Sequence, residues 1–154
     1  MPYNVDFRVP VSRSIYYPAS EAPFGSLVMP LMGDSGFVCW RPGKVGEEPI
    51  KMVCEWTTYV ALPLTGKSAD EPSLVFPDPE ILVDPATAYD PMDEGARGIG
   101  DLVTNGDMVM ISAWTAEQKM LGFLLRAGAS KAPRVAYRGW DIWVDGQHIF
   151  TKLS

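Results

Sequence analysis

Prolines divide this chain before any other signal does. Of its 14 prolines, 13 fall within the first 91 of 154 residues, and only Pro133 follows. Each fixes its own φ and removes a backbone donor, so helices and central strands must fit between them. Pro2, Pro10, Pro18 and Pro23 punctuate residues 1–25, where Val5, Phe7, Val9 and Val11 alternate with polar neighbours. No helix fits there, and the segment reads as an extended N-terminal arm reaching roughly 80 Å. A plain tail is one reading of it. The favoured reading is a strand-adding arm that orders on a neighbour, with Tyr3, Val5, Phe7, Val9, Val11, Tyr16 and Tyr17 as its contact residues. A second cluster, Pro63, Pro72, Pro77, Pro79, Pro85 and Pro91, predicts a loop-dominated insertion over 63–100. It leaves room for one strand at Glu80–Val83.

Charge follows the same division. The formal net charge is −6, yet eight acids and no Lys or Arg lie between residues 68 and 96. Without them the chain holds 13 bases against 11 acids, so the acidity belongs to one segment. A binder of nucleic acid needs a basic face to neutralise phosphates, and this chain offers none. Asp6 and Arg8 interrupt the apolar run that an export signal requires. The longest uncharged apolar stretch, 22–33, is too short for a bilayer and holds two prolines. The expectation is a soluble, intracellularly made protein, with no membrane partner. Cys39 and Cys54 then read as reduced core residues; a cross-strand disulfide is open if their segments form a hairpin.

The rest is patterned for a compact domain. A chain of this length buries roughly 70% of its unfolded surface, enough for one core. Apolar runs at 26–32 and 36–41 flank a Gly-Asp-Ser-Gly turn, and 50–62 reads as one long strand. Folding back the loop between them brings Phe37, Cys39 and Trp40 near Val53, Cys54 and Trp56. Asn105-Gly106 marks a turn before a strand at 108–114. Thr115 and Gln118 make a capping-box pattern, followed by Ala116, Met120, Phe123, Leu124 and Ala127 at helical spacing and Gly128 as C-cap. A helix over 115–128 is predicted, with Gly122 marking close packing. Strands at 135–144 and 147–153 flank Asp145-Gly146, a type I′ hairpin signature, with Trp140, Ile142 and Ile149 on one face. The predicted class is α+β: a β-rich single domain over 26–154 with short strands, one main helix and a C-terminal β-hairpin over 135–154.

Reactive chemistry is sparse. Residues 61–68 (ALPLTGKS) satisfy a permissive phosphate-loop pattern, but Ala-Asp-Glu-Pro follows where its helix should run. His148, the single histidine, sits in the hairpin without an obvious partner. Asp90, Asp93 and Glu94 lack the alternating ligand spacing of a calcium loop. Ser12, Ser14 and Ser35 have no elbow or triad context. No catalytic set, metal site or cofactor is expected.

Two stretches carry a resemblance. Residues 29–43 (MPLMGDSGFVCWRPG) and 105–119 (NGDMVMISAWTAEQK), continuing into 124–128 (LLRAG), occur in the order found in the lambda-type phage head decoration proteins. The first resembles that family's first β-hairpin. The second resembles its Gly-turn, its strand ending in Trp, its helix and its Leu-x-Ala-x-Gly exit. The likeness covers about 40 to 50 of 154 residues. It implies a non-enzymatic homotrimer on the virion surface that stabilises the expanded head by binding the major capsid protein. Tyr3 to Val11 would pair with capsid strands, and residues 27–40 would lie near the same face. The family pattern has no counterpart of 63–100 and ends near Val135. Two rivals stand beside it: a low-copy head–tail or baseplate component, and a carbohydrate-binding module or small enzyme using exposed Trp140 and Trp143.

Overall fold

A computed structural model describes residues 15–30, 34–41, 45–46, 49–55, 58–93, 95 and 97–152, with 15–17, 55, 58, 67 and 68 described by backbone alone. The fold is β-rich, and among the described residues no helix reaches seven residues. Five strands close a small barrel: β3 (Gly36–Cys39), β4 (Ile50–Glu55), β5 (Thr58–Pro63), β10 (Val109–Trp114) and β11 (Met120–Arg126). Adjacent pairs are antiparallel except β5 with β10, which meet in parallel at Val60 and Trp114. Trp40 closes the ring by exchanging two backbone hydrogen bonds with Leu124 of β11, at 3.0 and 3.2 Å. Alternation along each strand then turns Phe37, Cys39, Met52, Tyr59, Ile111, Ala113 and Phe123 inward, where they are buried.

Two wings leave this barrel. From β3 the sheet continues through β2 (Leu27–Pro30) and β6 (Pro72–Phe76) to β1 (Ile15–Pro18). From β10 it continues through β9 (Leu102–Thr104) and β12 (Val135–Tyr137) to β8 (Ala88–Tyr89). A separate sheet of β7 (Glu80–Val83), β13 (Trp140–Val144) and β14 (Gln147–Lys152) packs its inward side chains on the barrel core. Trp140 lies 6.3 Å from Tyr59 and 5.5 Å from Phe150 between ring centroids, and its indole Nε1 donates to Gly100 O at 2.8 Å. This aromatic cluster plugs one end of the barrel.

A smaller core of Ala19, Ala22, Val28, Val38, Leu64 and Val75 lies beneath the β1–β6–β2 wing. On the same face of β4, Lys51 is only 6% exposed. Burial lowers its ammonium pKa, against the opposing pull of Glu71 and Asp34.

Several expectations need correction. The predicted helix over 115–128 is a turn followed by β11, so the class is β-rich without a main helix. Thr115 Oγ1 does accept from a backbone N–H, as a cap would, but the donor is Lys119 at 3.2 Å across a tight turn. Gln118 occupies that turn with φ 61°, a conformation that ends any helix there. Beyond it Phe123 and Leu125 are buried at period two, and the helical-period positions lose. Gly122 does mark close packing, because a Cβ there would lie 2.5 Å from Met110 Sδ on the adjoining strand.

The run 50–62 is not one strand but the hairpin β4–β5, with Cys54 opposite Tyr59. Likewise 135–144 splits into β12 and β13, which join different sheets. The stretch 63–100 carries more regular structure than the one expected strand. It contributes β6, β7, β8 and a four-residue helix α1 (Lys67–Asp70). Pro72 opens β6 and Pro77 follows it, so the prolines bracket a strand that buries Ser73, Val75 and Phe76. β7 falls on the expected Glu80–Val83. Finally, residues 15–25 belong to the body: β1 pairs with β6, and Ala19 and Ala22 are buried.

Candidate functional site

Among the described residues, the barrel end opposite the Trp140 cluster holds a groove. Its interior walls are Ile50, Ala61 and Phe123, and its rim carries Arg41, Thr115 and Glu117 around a groove of about 320 Å³. Leu62, Trp114 and Leu121, on the strand ends that bound it, are 45%, 42% and 40% exposed. Scattered exposed leucines need no explanation, but an apolar groove with a polar rim, beside outward-facing Leu62 and Trp114, marks a surface suited to protein contact. Trp114 and Leu62 lie on the outward face of β10 and β5, outside the groove itself.

Of the arm residues, Tyr16 and Tyr17 lie in β1, opposite Leu74 and Ser73 of β6. Tyr3, Val5, Phe7, Val9 and Val11 lie outside the described residues. β1 ends the strand order of the large sheet, so the arm leads directly into a sheet edge.

The most elaborate polar cluster surrounds Asp101, which is 1% exposed. Its carboxylate accepts from Lys152 Nζ at 2.9 Å, from Gly98 N at 2.9 Å and from the Tyr89 hydroxyl. Arg138 Nη1 approaches to 3.5 Å, with its guanidinium 4.2 Å from the Tyr89 ring centroid. Desolvation and the hydrogen bond to Asp101 push the Tyr89 phenol up to about 12. Sequence reading missed this cluster, since its members are spread from residue 89 to 152 and share no spacing. Its chemistry is structural: one buried carboxylate joins the 89–101 segment to the end of β12 and to β14.

Other sequence candidates fall apart. His148 Nε2 lies 2.6 Å from Thr151 Oγ1, and its ring meets Trp143 edge-on at 5.2 Å, a half-buried sheet contact. Trp140 is 1% exposed, so it offers no face to a sugar. Residues 67–70 form one helical turn ended by Glu71-Pro72, not the long helix a phosphate loop requires. Asp90 Oδ1 caps the N–H of Met92 at 2.9 Å. Among the described residues no three His, Cys, Asp or Glu side chains converge as metal ligands. No helix there is long and apolar enough to cross a membrane.

Cys39 and Cys54 are free and buried. Burial pushes the Cys39 thiol up to about 12, offset in part by a backbone hydrogen bond from Met52, and raises Cys54 as well. Because the thiolate is the nucleophile, neither is expected to react with a disulfide reagent at pH 8 in the native protein. Both should react after unfolding in denaturant; a thiol titrating in the folded state would contradict their placement.

No family model matches the chain, and neither the curated proteins nor the solved structures contain a significant match.

Proposed function

We propose that the protein is a virion structural subunit that decorates the expanded phage head and stabilises it by binding capsid-protein subunits. The observation that carries this reading is the apolar groove at this barrel end, with Leu121 exposed in its lining and Leu62 and Trp114 exposed on the strands' outer face. An unpartnered surface of this kind favours protein docking over turnover of a small polar substrate. The arm adds a second attachment: it enters the sheet at the end strand β1, and its alternating Val5, Phe7 and Val9 suit strand addition.

Linked contacts of modest strength then combine through effective concentration, most strongly if three copies act together as a trimer. The acids from 68 to 96 stay outside the capsid contacts. Asp78, Glu80, Asp84, Asp90 and Asp93 are exposed, which avoids desolvating them. The resemblance implies the capsid protein as the partner. Its strand ending in Trp and its Asn-Gly turn are present at 105–114, although the helix expected after them is a strand here.

A low-copy head–tail or baseplate role would use the same surfaces. Counting copies per purified particle separates the two. The decoration reading expects a copy number that scales with the capsid subunits and comes in threes. A handful of copies at one vertex would overturn it.

A further inference from the structure

At the end of the strand order opposite β1, the edge is only partly covered among the described residues. β8 covers β12 only at Ala136 opposite Tyr89 and Tyr137 opposite Ala88. The chain then turns away, with Asp90 O accepting from Asp93 N at 3.1 Å. Val135 keeps its partner Thr104 on the β9 side, but β8 supplies it none on the other. The result is a groove of about 680 Å³ between residues 88–92 and 132–135. Pro91, Ala132, Pro133 and Val135 give it apolar walls, and Met92 at its lip is 82% exposed. Asp90 and Arg134 place one charge of each sign beside it.

The wall that leads into β12 is fixed in place. Asp107 Oδ2 accepts from Ala129 N and Ser130 N at 2.7 and 2.8 Å, and Asn105 Nδ2 donates to Ser130 O at 3.0 Å. A preordered open edge binds an added strand at a lower entropic cost than a loose one.

We propose that residues 5–9 of one copy add as an extended strand in this groove of a second copy. The inference rests on the arm being a strand-adding element, as in the reading above, and not on the identity of the capsid partner. Val5, Phe7 and Val9 share one face of an extended chain, while Asp6 and Arg8 share the other. The apolar face matches the groove walls. The two charges match Arg134 and Asp90.

Val9 precedes Pro10, which biases it toward the extended conformation. Docking also covers an alternating apolar segment that would otherwise template aggregation before the protein meets its capsid partner. The second copy follows from topology. The arm leads into β1 at one end of the strand order, and the groove lies beside β8 at the other. Donor and acceptor at opposite ends of one sheet make a head-to-tail contact, which closes into a ring when the rotation allows.

Cross-linking of the full chain tests this. Phe7→Cys combined with Ala132→Cys, oxidised mildly while Cys39 and Cys54 stay buried, should give interchain disulfides whose yield rises with protein concentration. Adding Val135→Asp should reduce that yield at least several-fold. A disulfide within single chains, or no disulfide at all, would overturn the proposal. As a second measurement, sedimentation of the wild-type chain should show an oligomer that Phe7→Asp converts to monomer; an unchanged oligomer would also overturn it. Because no capsid is present, failure here leaves the decoration reading standing, and failure of head binding with intact cross-linking does the reverse.

Discussion

Trp140→Ala is expected to cost about 3–5 kcal/mol of folding stability, the range for removing a large buried aromatic side chain. Trp140 is 1% exposed and touches both layers of the structure: Phe150 within its own sheet and Tyr59 in the barrel. Truncation also strips Gly100 O of the indole donor that reaches it at 2.8 Å, leaving a carbonyl that burial makes expensive to orphan. Domains of this size are stable by roughly 5–15 kcal/mol, so the variant should lose about a fifth or more of its margin. In urea the midpoint should fall steeply with an unchanged slope. Trp140→Phe, which keeps most of the packing and loses the donor, should fall between. A loss under about 1 kcal/mol for the alanine variant would mean that the β7–β13–β14 sheet does not close the barrel.

The second large effect is expected at Asp101. Asp101→Ala removes a buried carboxylate and leaves Lys152, whose side chain is 15% exposed, without its counter-charge. Breaking a buried pair from one side typically costs 3–5 kcal/mol, because the remaining charge is uncompensated. Arg138, with its side chain 41% exposed, contributes little to that sum. Replacing both partners should therefore be milder than replacing one: Lys152→Met in the Asp101→Ala background is expected to recover part of the loss. A double-mutant cycle in thermal or urea unfolding measures this. Strictly additive losses would show that the two groups do not share an interaction.

The sequence made some of this architecture legible, and the reasons differ by element. Asp145-Gly146 announced a type I′ hairpin, and both residues take positive φ, 49° and 76°, between β13 and β14. Asn105-Gly106 likewise marked a turn, with Gly106 at φ 92°. These signals are local and need no tertiary context. The 115–128 segment failed because its apolar residues fit both periods, and the arbiter lay elsewhere in the chain. A flanking strand, β10, offered ladder partners along its whole length, and the Met110 side chain, diagonally across the ladder, leaves no room for a Cβ at Gly122. Prolines misled over 63–100 for a related reason. They sit beside strand interiors there, so β6 could insert between β1 and β2 with Pro72 at its first position.

The candidate site was legible only in part. The arm's alternation is written in Val5, Phe7, Val9 and Val11, but the groove at the barrel end is not. Leu62, Trp114 and Leu121 look like ordinary core residues until ring closure shows that they stay exposed. Closure itself depends on Trp40 meeting Leu124, a contact between positions far apart in sequence.

The proposal that the protein decorates expanded phage heads is tested most directly by co-sedimentation with undecorated, expanded heads. The account predicts saturable binding of the full chain, weakened by Phe7→Asp in the arm or Trp114→Asp on the barrel's outer face, together with heads that withstand more heat once decorated. Full-length protein that remains in the supernatant at saturating concentration, leaving the heads no more stable than before, would contradict it.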